Sequence, residues 1–241
     1  MTRKISPKGR LIVALDFDSK KKAIDIVKGL KKDVKFFKVG LELFSSCGPT
    51  IVDSIRKEGC EVFLDLKFND IPNTVAKATR SITKLKPFMF NVHALGGEDM
   101  MRMTIKAVNQ ETRRLKIKKP KVLAVTILTS LNENGLKKIG INDNMGAQVL
   151  KLARLAKAAG LDGVITSPRE TKLIRDQLGK DFLIVTPGVR PSWADSGDQK
   201  RVATPREAIE SGTSFIVVGR PVTEAPCPQL AAQKILQEIG R

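Results

Sequence analysis

Eight short apolar runs punctuate the chain: Leu11–Leu15, Phe36–Val39, Val62–Leu66, Phe88–Val92, Val122–Leu128, Gly163–Thr166, Phe182–Thr186 and Phe215–Val218. Near-continuous stretches of branched and aromatic residues at this length predict parallel strands buried on both faces. Between them apolar positions recur at helical spacing. Ile24, Ile26, Val27 and Leu30 predict a first helix, and Ile51, Val52 and Ile55 a second. Met100, Met101, Met103, Ile105 and Val108 mark the fourth, with the methionines read as core filler. Val149, Leu150, Leu152 and Leu155 mark the fifth, and Ile235 with Ile239 the last. Strand and helix alternate eight times with no long linker, which selects a closed parallel sheet over an open one. An open doubly wound sheet is expected to carry a glycine-rich turn after its first strand, and Asp16-Phe17-Asp18-Ser19 is not one. The prediction is a single (β/α)8 TIM barrel domain over residues 1–241, with residues 1–10 a basic N-terminal extension.

Composition changes this picture little. The chain has 241 residues, within the usual size of one such barrel. Hydrophobic residues make up 41% and charged residues 28%, so the chain can bury a core and remain soluble. The run Leu11–Leu15 stops at Asp16, too short for a signal-peptide core or a membrane span, and a cytoplasmic location follows as an expectation. Cys47, Cys60 and Cys227 are odd in number and lack C-x-x-C spacing, which argues against disulfides or structural zinc.

A formal net charge of +18 attracts phosphorylated ligands and nucleic acid alike. Its distribution matters more than its size. Lys20 to Lys22, Lys31-Lys32 and Lys116 to Lys121 are scattered concentrations without interleaved aromatics, so they read as solvated faces and no nucleic-acid partner is expected. A basic nucleic-acid binder built on the same barrel is the rival from another functional class.

Chemistry in such barrels sits at the carboxyl ends of the strands. There the sequence places Asp16, Lys38, Asp65 with Lys67, His93, Thr129 with Ser130, Ser167, Pro187-Gly188 with Arg190, and Gly219-Arg220, in strand order. Asp65 and Lys67 are two residues apart, so a regular strand turns both to one face and Leu66 to the other. With Lys38 one strand away, lysines and aspartates can alternate in space. Buried charges are tolerated only in such pairing. Lys67 can then act as a fixed proton donor. Two plainer readings stand beside this one. Asp65 and Lys67 could be an ordinary interior ion pair, and Asp70, just before Ile71-Pro72, could be a helix N-cap. His93, the only histidine, is read as a structural polar group.

These residues resemble one family along the whole chain, the orotidine 5'-phosphate decarboxylases of bacterial type. The resemblance rests on Ala14-Leu15-Asp16, Phe37-Lys38-Val39-Gly40 and the stretch Phe63-Leu64-Asp65-Leu66-Lys67-Phe68-Asn69-Asp70-Ile71-Pro72-Asn73-Thr74. Asn91-Val92-His93-Ala94, Leu128-Thr129-Ser130, Val185 to Arg190, Gly197 to Arg201 and Val218-Gly219-Arg220 continue it in order. It implies decarboxylation of orotidine 5'-monophosphate to uridine 5'-monophosphate, without metal or organic cofactor. Lys67 would protonate C6, with Asp65, Lys38 and Asp70 completing the catalytic set. Asp16 and Lys38 would hold the ribose, and Thr129 and Ser130 the pyrimidine edge. Gln199, Arg220 and the Gly219 backbone would hold the phosphate, beside Pro187 and Arg190. The segment Pro191 to Arg201 would be a loop closing over that end. The stretch Asp65, Leu66, Lys67, Phe68, Asn69, Asp70, Ile71, Pro72, Asn73, Thr74 is assigned as a whole to substrate. Asp70, Ile71 and Thr74 would reach the neighbouring subunit of a homodimer with shared sites. Position 69 departs from many relatives in being Asn69 rather than histidine. A sugar-phosphate lyase of the same suprafamily shares Asp-x-Lys-x-x-Asp but uses a metal-bound enediolate. The continuation Ile71-Pro72-Asn73-Thr74 and Gln199 favour the nucleotide enzyme.

Overall fold

A computed structural model describes residues 9–194 and 203–240. Eight parallel strands close on themselves in sequence order, β1 pairing with both β2 and β8. They are β1 Leu11–Ala14, β2 Phe36–Val39, β3 Glu61–Phe68, β4 Met89–His93, β5 Lys121–Val125, β6 Gly163–Ile165, β7 Leu183–Thr186 and β8 Phe215–Val218. All eight lie where apolar runs predicted them. The fifth is shorter than its run, because Thr126 turns its hydroxyl onto the Ile165 carbonyl at 3.0 Å, and Ile127 and Leu128 leave the ladder. Most of the basic N-terminal extension lies outside the described residues.

The described helices are α1 Lys20–Leu30, α2 Leu41–Cys47, α3 Thr50–Lys57, α4 Pro72–Thr83, α5 Gly97–Leu115, α6 Glu133–Lys138, α7 Met145–Ala158, α8 Pro168–Leu178, α9 Pro205–Glu210, α10 Arg220–Thr223 and α11 Pro228–Gly240. Their starts are written locally. Asn132 and Asn144 accept the Gly135 and Ala147 amides at 2.9 and 2.8 Å, capping α6 and α7, and a Thr204/Glu207 capping box with Pro205 opens α9. The short α6, α9 and α10 carry too few apolar residues to show a period, which is why periodicity alone passes over them.

Alternation along each strand divides the core in two. Leu11, Val13, Phe37, Val39, Phe90 and Val92 face outward and pack with the helices. Ile12, Ala14, Phe63, Met89, Leu123, Val125 and Phe215 fill the barrel itself. At its amino end Phe36, Phe88 and Phe215 meet ring to ring, with centroids 4.6–6.0 Å apart. Met100 and Met101 are buried as predicted, whereas Met103 turns to the exposed side of α5, one helical step off the buried stripe. Among the described residues no helix is long and apolar enough to cross a membrane.

Candidate active site

The inward parity that puts Phe36, Phe63 and Met89 inside the barrel also puts Lys38, Asp65 and Asn91 inside, one pleat nearer the carboxyl end. Asp16 follows β1 at the same rim. The four charges form a chain in which Asp16 Oδ1 lies 2.9 Å from Lys38 Nζ, Lys38 Nζ 3.5 Å from Asp65 Oδ2, and Asp65 Oδ1 2.8 Å from Lys67 Nζ. Gly40 makes room for it: a Cβ there would stand 2.8 Å from Lys38 Nζ and 3.3 Å from Asp16 Oδ1. Burial opposes charge on Asp65 and Lys38, but their partners outweigh it. Lys38 and Lys67 hold Asp65 below the ordinary carboxylate range, and Asp65 and Asp16 hold Lys38 above that of a free lysine.

The pairing of Asp65 with Lys67 does not come from a regular pleat. Leu64 faces Phe90 and Phe68 faces Val92, so β3 spends four steps where β4 spends two, and the strand bulges toward the mouth. Lys67 takes a left-handed backbone at φ +51° within this bulge. The side chain of Asn91, wholly buried, spans the break: its Oδ1 accepts the Lys67 amide at 2.7 Å and its Nδ2 donates to Asp65 Oδ1 at 2.6 Å. Asn91 opens the stretch Asn91-Val92-His93-Ala94, and the strand pattern alone predicts no role for it. The available signal was an amide in the apolar run Phe88–Val92, at the parity of Asp65.

The mouth holds a cavity of about 250 Å³. Ala14, Phe63, Val125, Ile165 and Val217 give it apolar walls; Asp16, Lys38, Asp65, Lys67, Thr129, Arg190 and Arg220 give it charge and hydrogen-bonding groups. Pro187, Gly188 and Gly219 line it with backbone, Gly188 at φ +74°, a conformation glycine adopts without strain. An apolar pocket with convergent cations suits a flat, partly apolar ligand bearing an anionic group.

Other predicted residues stand elsewhere. Leu66 and Phe68 pack against the outer core, and Ser130 is exposed outside the cavity wall. Asp70, Ile71, Asn73 and Thr74 face solvent, while Pro72 and Asn69 likewise stay off the cavity wall. Asp70 forms no ion pair with Lys38 or Lys67, so within one chain Asp16 ends the alternation. Nor is Asp70 the helix cap: Ile71 occupies the N-cap position of α4 with Pro72 in its first turn, and Asp70 Oδ1 accepts the Ile71 amide at 2.6 Å. Ser167 caps α8 through the Arg169 amide at 3.2 Å, leaving Thr166 to line the cavity. His93 Nδ1 accepts the Leu95 amide at 3.4 Å, and burial, then Lys67, lower its basicity. Gln199 and most of the segment Pro191 to Arg201 lie outside the described residues, although Trp193 is described beneath Lys234 Nζ at 5.8 Å from its ring centre. Among the described residues no group of three or more His, Cys, Asp or Glu side chains is placed to hold a metal.

The sequence pattern of the orotidine 5'-phosphate decarboxylase / HUMPS family matches residues 9–235. The chain is 49% identical over 232 residues to an orotidine 5'-phosphate decarboxylase of Syntrophomonas wolfei, covering 95% of this chain and 97% of that one. It is 53% identical over 210 residues to the Geobacter sulfurreducens protein of the same name, 87% of each. The crystal structure of orotidine 5'-phosphate decarboxylase from Lactobacillus acidophilus superposes with a TM-score of 0.85 at 41% identity, covering 96% of this chain and 99% of that one. The Pyrococcus horikoshii structure of that name gives 0.75 at 27% identity, covering 95% and 98%.

Proposed function

The chain belongs to the orotidine 5'-phosphate decarboxylase / HUMPS family, and we propose from that membership and its charged mouth how it works on its substrate. It decarboxylates orotidine 5'-monophosphate to uridine 5'-monophosphate in pyrimidine synthesis. Lys67 is the proton donor. The observation that carries this is its ammonium, on the cavity wall and held 2.8 Å from Asp65. As the C6–carboxylate bond breaks, carbon dioxide leaves and its bonding pair stays on C6 in the ring plane, where the π system cannot disperse it. A cation already fixed beside that carbon stabilises the developing charge. A proton then passes from Lys67 Nζ to C6, and the neutral amine is recharged from water. Asp65 and Lys38 orient it. Asp16 and Lys38 hold the ribose hydroxyls, Thr129 the pyrimidine, and Arg190, Arg220 and the Gly219 amide the phosphate. Gln199 is assigned to the phosphate by family resemblance alone.

A homodimer with shared sites completes the reading. Asp70, Ile71 and Thr74 are exposed and do not line their own cavity, and Ile71 is 67% exposed, as a residue reaching a second copy would be. We place the enzyme in the cytoplasm, where its free cysteines would stay reduced.

The test is orotidine 5'-monophosphate turnover by wild type, Lys67→Ala and Asp70→Ala, alone and mixed. Lys67→Ala should lose at least about 10²–10⁴-fold, the usual worth of a positioned acid, while binding of uridine 5'-monophosphate survives. Asp70→Ala should also lose turnover, and mixing the two variants under subunit exchange should restore activity. Comparable turnover in Lys67→Ala would remove Lys67 from its role, and no recovery on exchange would refute shared sites.

A further inference from the structure

We propose that Asn91 is the positioning residue of the proton donor, a single amide that sets both where Lys67 stands and what Asp65 presents to it. The bulge between Leu64 and Phe68 deprives the Lys67 amide of a backbone acceptor on β4, and the Asn91 Oδ1 takes that place at 2.7 Å. A non-glycine residue at φ +51° persists only when its surroundings hold it there. The same side chain's Nδ2 reaches Asp65 Oδ1 at 2.6 Å, the oxygen that also receives Lys67 Nζ. The two hydrogen bonds fix the amide's orientation without ambiguity, since an N–H needs an acceptor and a carboxylate needs a donor.

Asn91 is fully buried and does not line the cavity, so it cannot contact substrate. Its effect passes through the lysine and the aspartate. Asp65 is surrounded by Lys38 from β2, Lys67 from its own strand and Asn91 from β4; Asp16 acts on it through Lys38, and His93 faces Lys67. Of these, Asn91 is the one neutral donor to the carboxylate. Removing it leaves that oxygen with a single partner and frees the bulge to relax.

This inference rests on Lys67 being the proton donor. Asn91→Leu keeps the branching and heavy-atom count of the side chain and removes both hydrogen bonds. Asn91→Asp keeps the shape and an acceptor for the Lys67 amide, but sets a second carboxylate against Asp65, where two like charges resist joint ionisation. For folded protein, kcat should fall about 10²-fold in Asn91→Leu with KM changed less than roughly threefold, the pattern of a displaced catalytic group. In Asn91→Asp the acid limb of the kcat profile should move to higher pH, a shift that a packing defect does not produce. Kcat within threefold of wild type and an unmoved acid limb in both variants would overturn the proposal. Should Asn91→Leu fail to fold, Asn91→Asp decides alone by its acid limb. Lys67→Ala measured alongside separates the two readings: if it retains turnover, the donor assignment fails; if it is inactive while the Asn91 variants match wild type, only the positioning role fails.

Discussion

The two ends of one barrel solve opposite problems. At the carboxyl end the strands stop filling the interior and leave a cavity of about 250 Å³, ringed by the chain Asp16, Lys38, Asp65, Lys67. At the amino end Phe36, Phe88 and Phe215 close the bore, and charge appears only outside it. There Arg56, Lys86, Lys118, Lys119 and Lys121 surround a hollow of about 300 Å³, with Glu61 the one carboxylate in its wall. At the functional end Lys38 and Lys67 are drawn into the bore and share the carboxylates of Asp16 and Asp65 within 4 Å. At the other end Lys121 pairs with Asp162 at 2.7 Å and Arg56 with Asp53 at 4.0 Å, but Lys86, Lys118, Lys119 and Lys121 are all exposed to solvent. The difference teaches that charge number says little about chemistry, whereas burial and pairing say much.

Three measurements can break that contrast. The largest effect belongs to Phe215→Ala, which opens the aromatic plug and should cost about 3–5 kcal/mol, lowering the thermal midpoint by roughly 2–4 °C per kcal/mol, with kcat of the folded enzyme unchanged. A loss of kcat at permissive temperature would mean the two ends are coupled. Next comes acid titration of the mouth. Asp65 has its proton affinity lowered on folding, so its contribution is complete above about pH 4, the ordinary aspartate value, and is lost as pH falls below it. Lys38 is raised, so its contribution is complete below about pH 10 and is lost only beyond that. The gap in thermal midpoint between wild type and Asp65→Asn should therefore be constant across neutral pH and narrow below about pH 4. A gap that varies between pH 6 and 8 would contradict the pairing described. The smallest effect is expected from reversing Lys118 and Lys119 together to glutamate: stability within about 0.5 kcal/mol and turnover unaltered. A change in turnover would give the amino-end charge a part in the reaction.

Much of this was readable from residues alone. The eight strands were legible because parallel strands buried on both faces must be apolar throughout, and Lys38 and Asp65 stood out as charges inside such runs. Helix starts at Asn132, Asn144 and Thr204 are written locally in cap residues, a signal that apolar periodicity does not carry. The bulge was not legible. Register between β3 and β4 is a long-range property, and a regular pleat predicts the same side for Lys67 that the bulge delivers by another route. Asn91 was missed for that reason, since its partners exist only once the ladder breaks. Ser167 shows the converse, a polar residue at a strand end whose side chain serves local backbone.

Lys67 is not alone in its backbone conformation; Lys86 and Lys116 also have positive φ, both +54°. Those two sit just after helices α4 and α5, where a glycine would do the same work more cheaply. At position 67 glycine would likewise relieve about 1–2 kcal/mol of left-handed strain, yet erase the ammonium. A library selected for heat resistance alone would therefore drift toward glycine at all three positions, whereas one selected for growth without supplied uracil would release only two. The residue on which selection for stability and selection for turnover part company is the one in the strand.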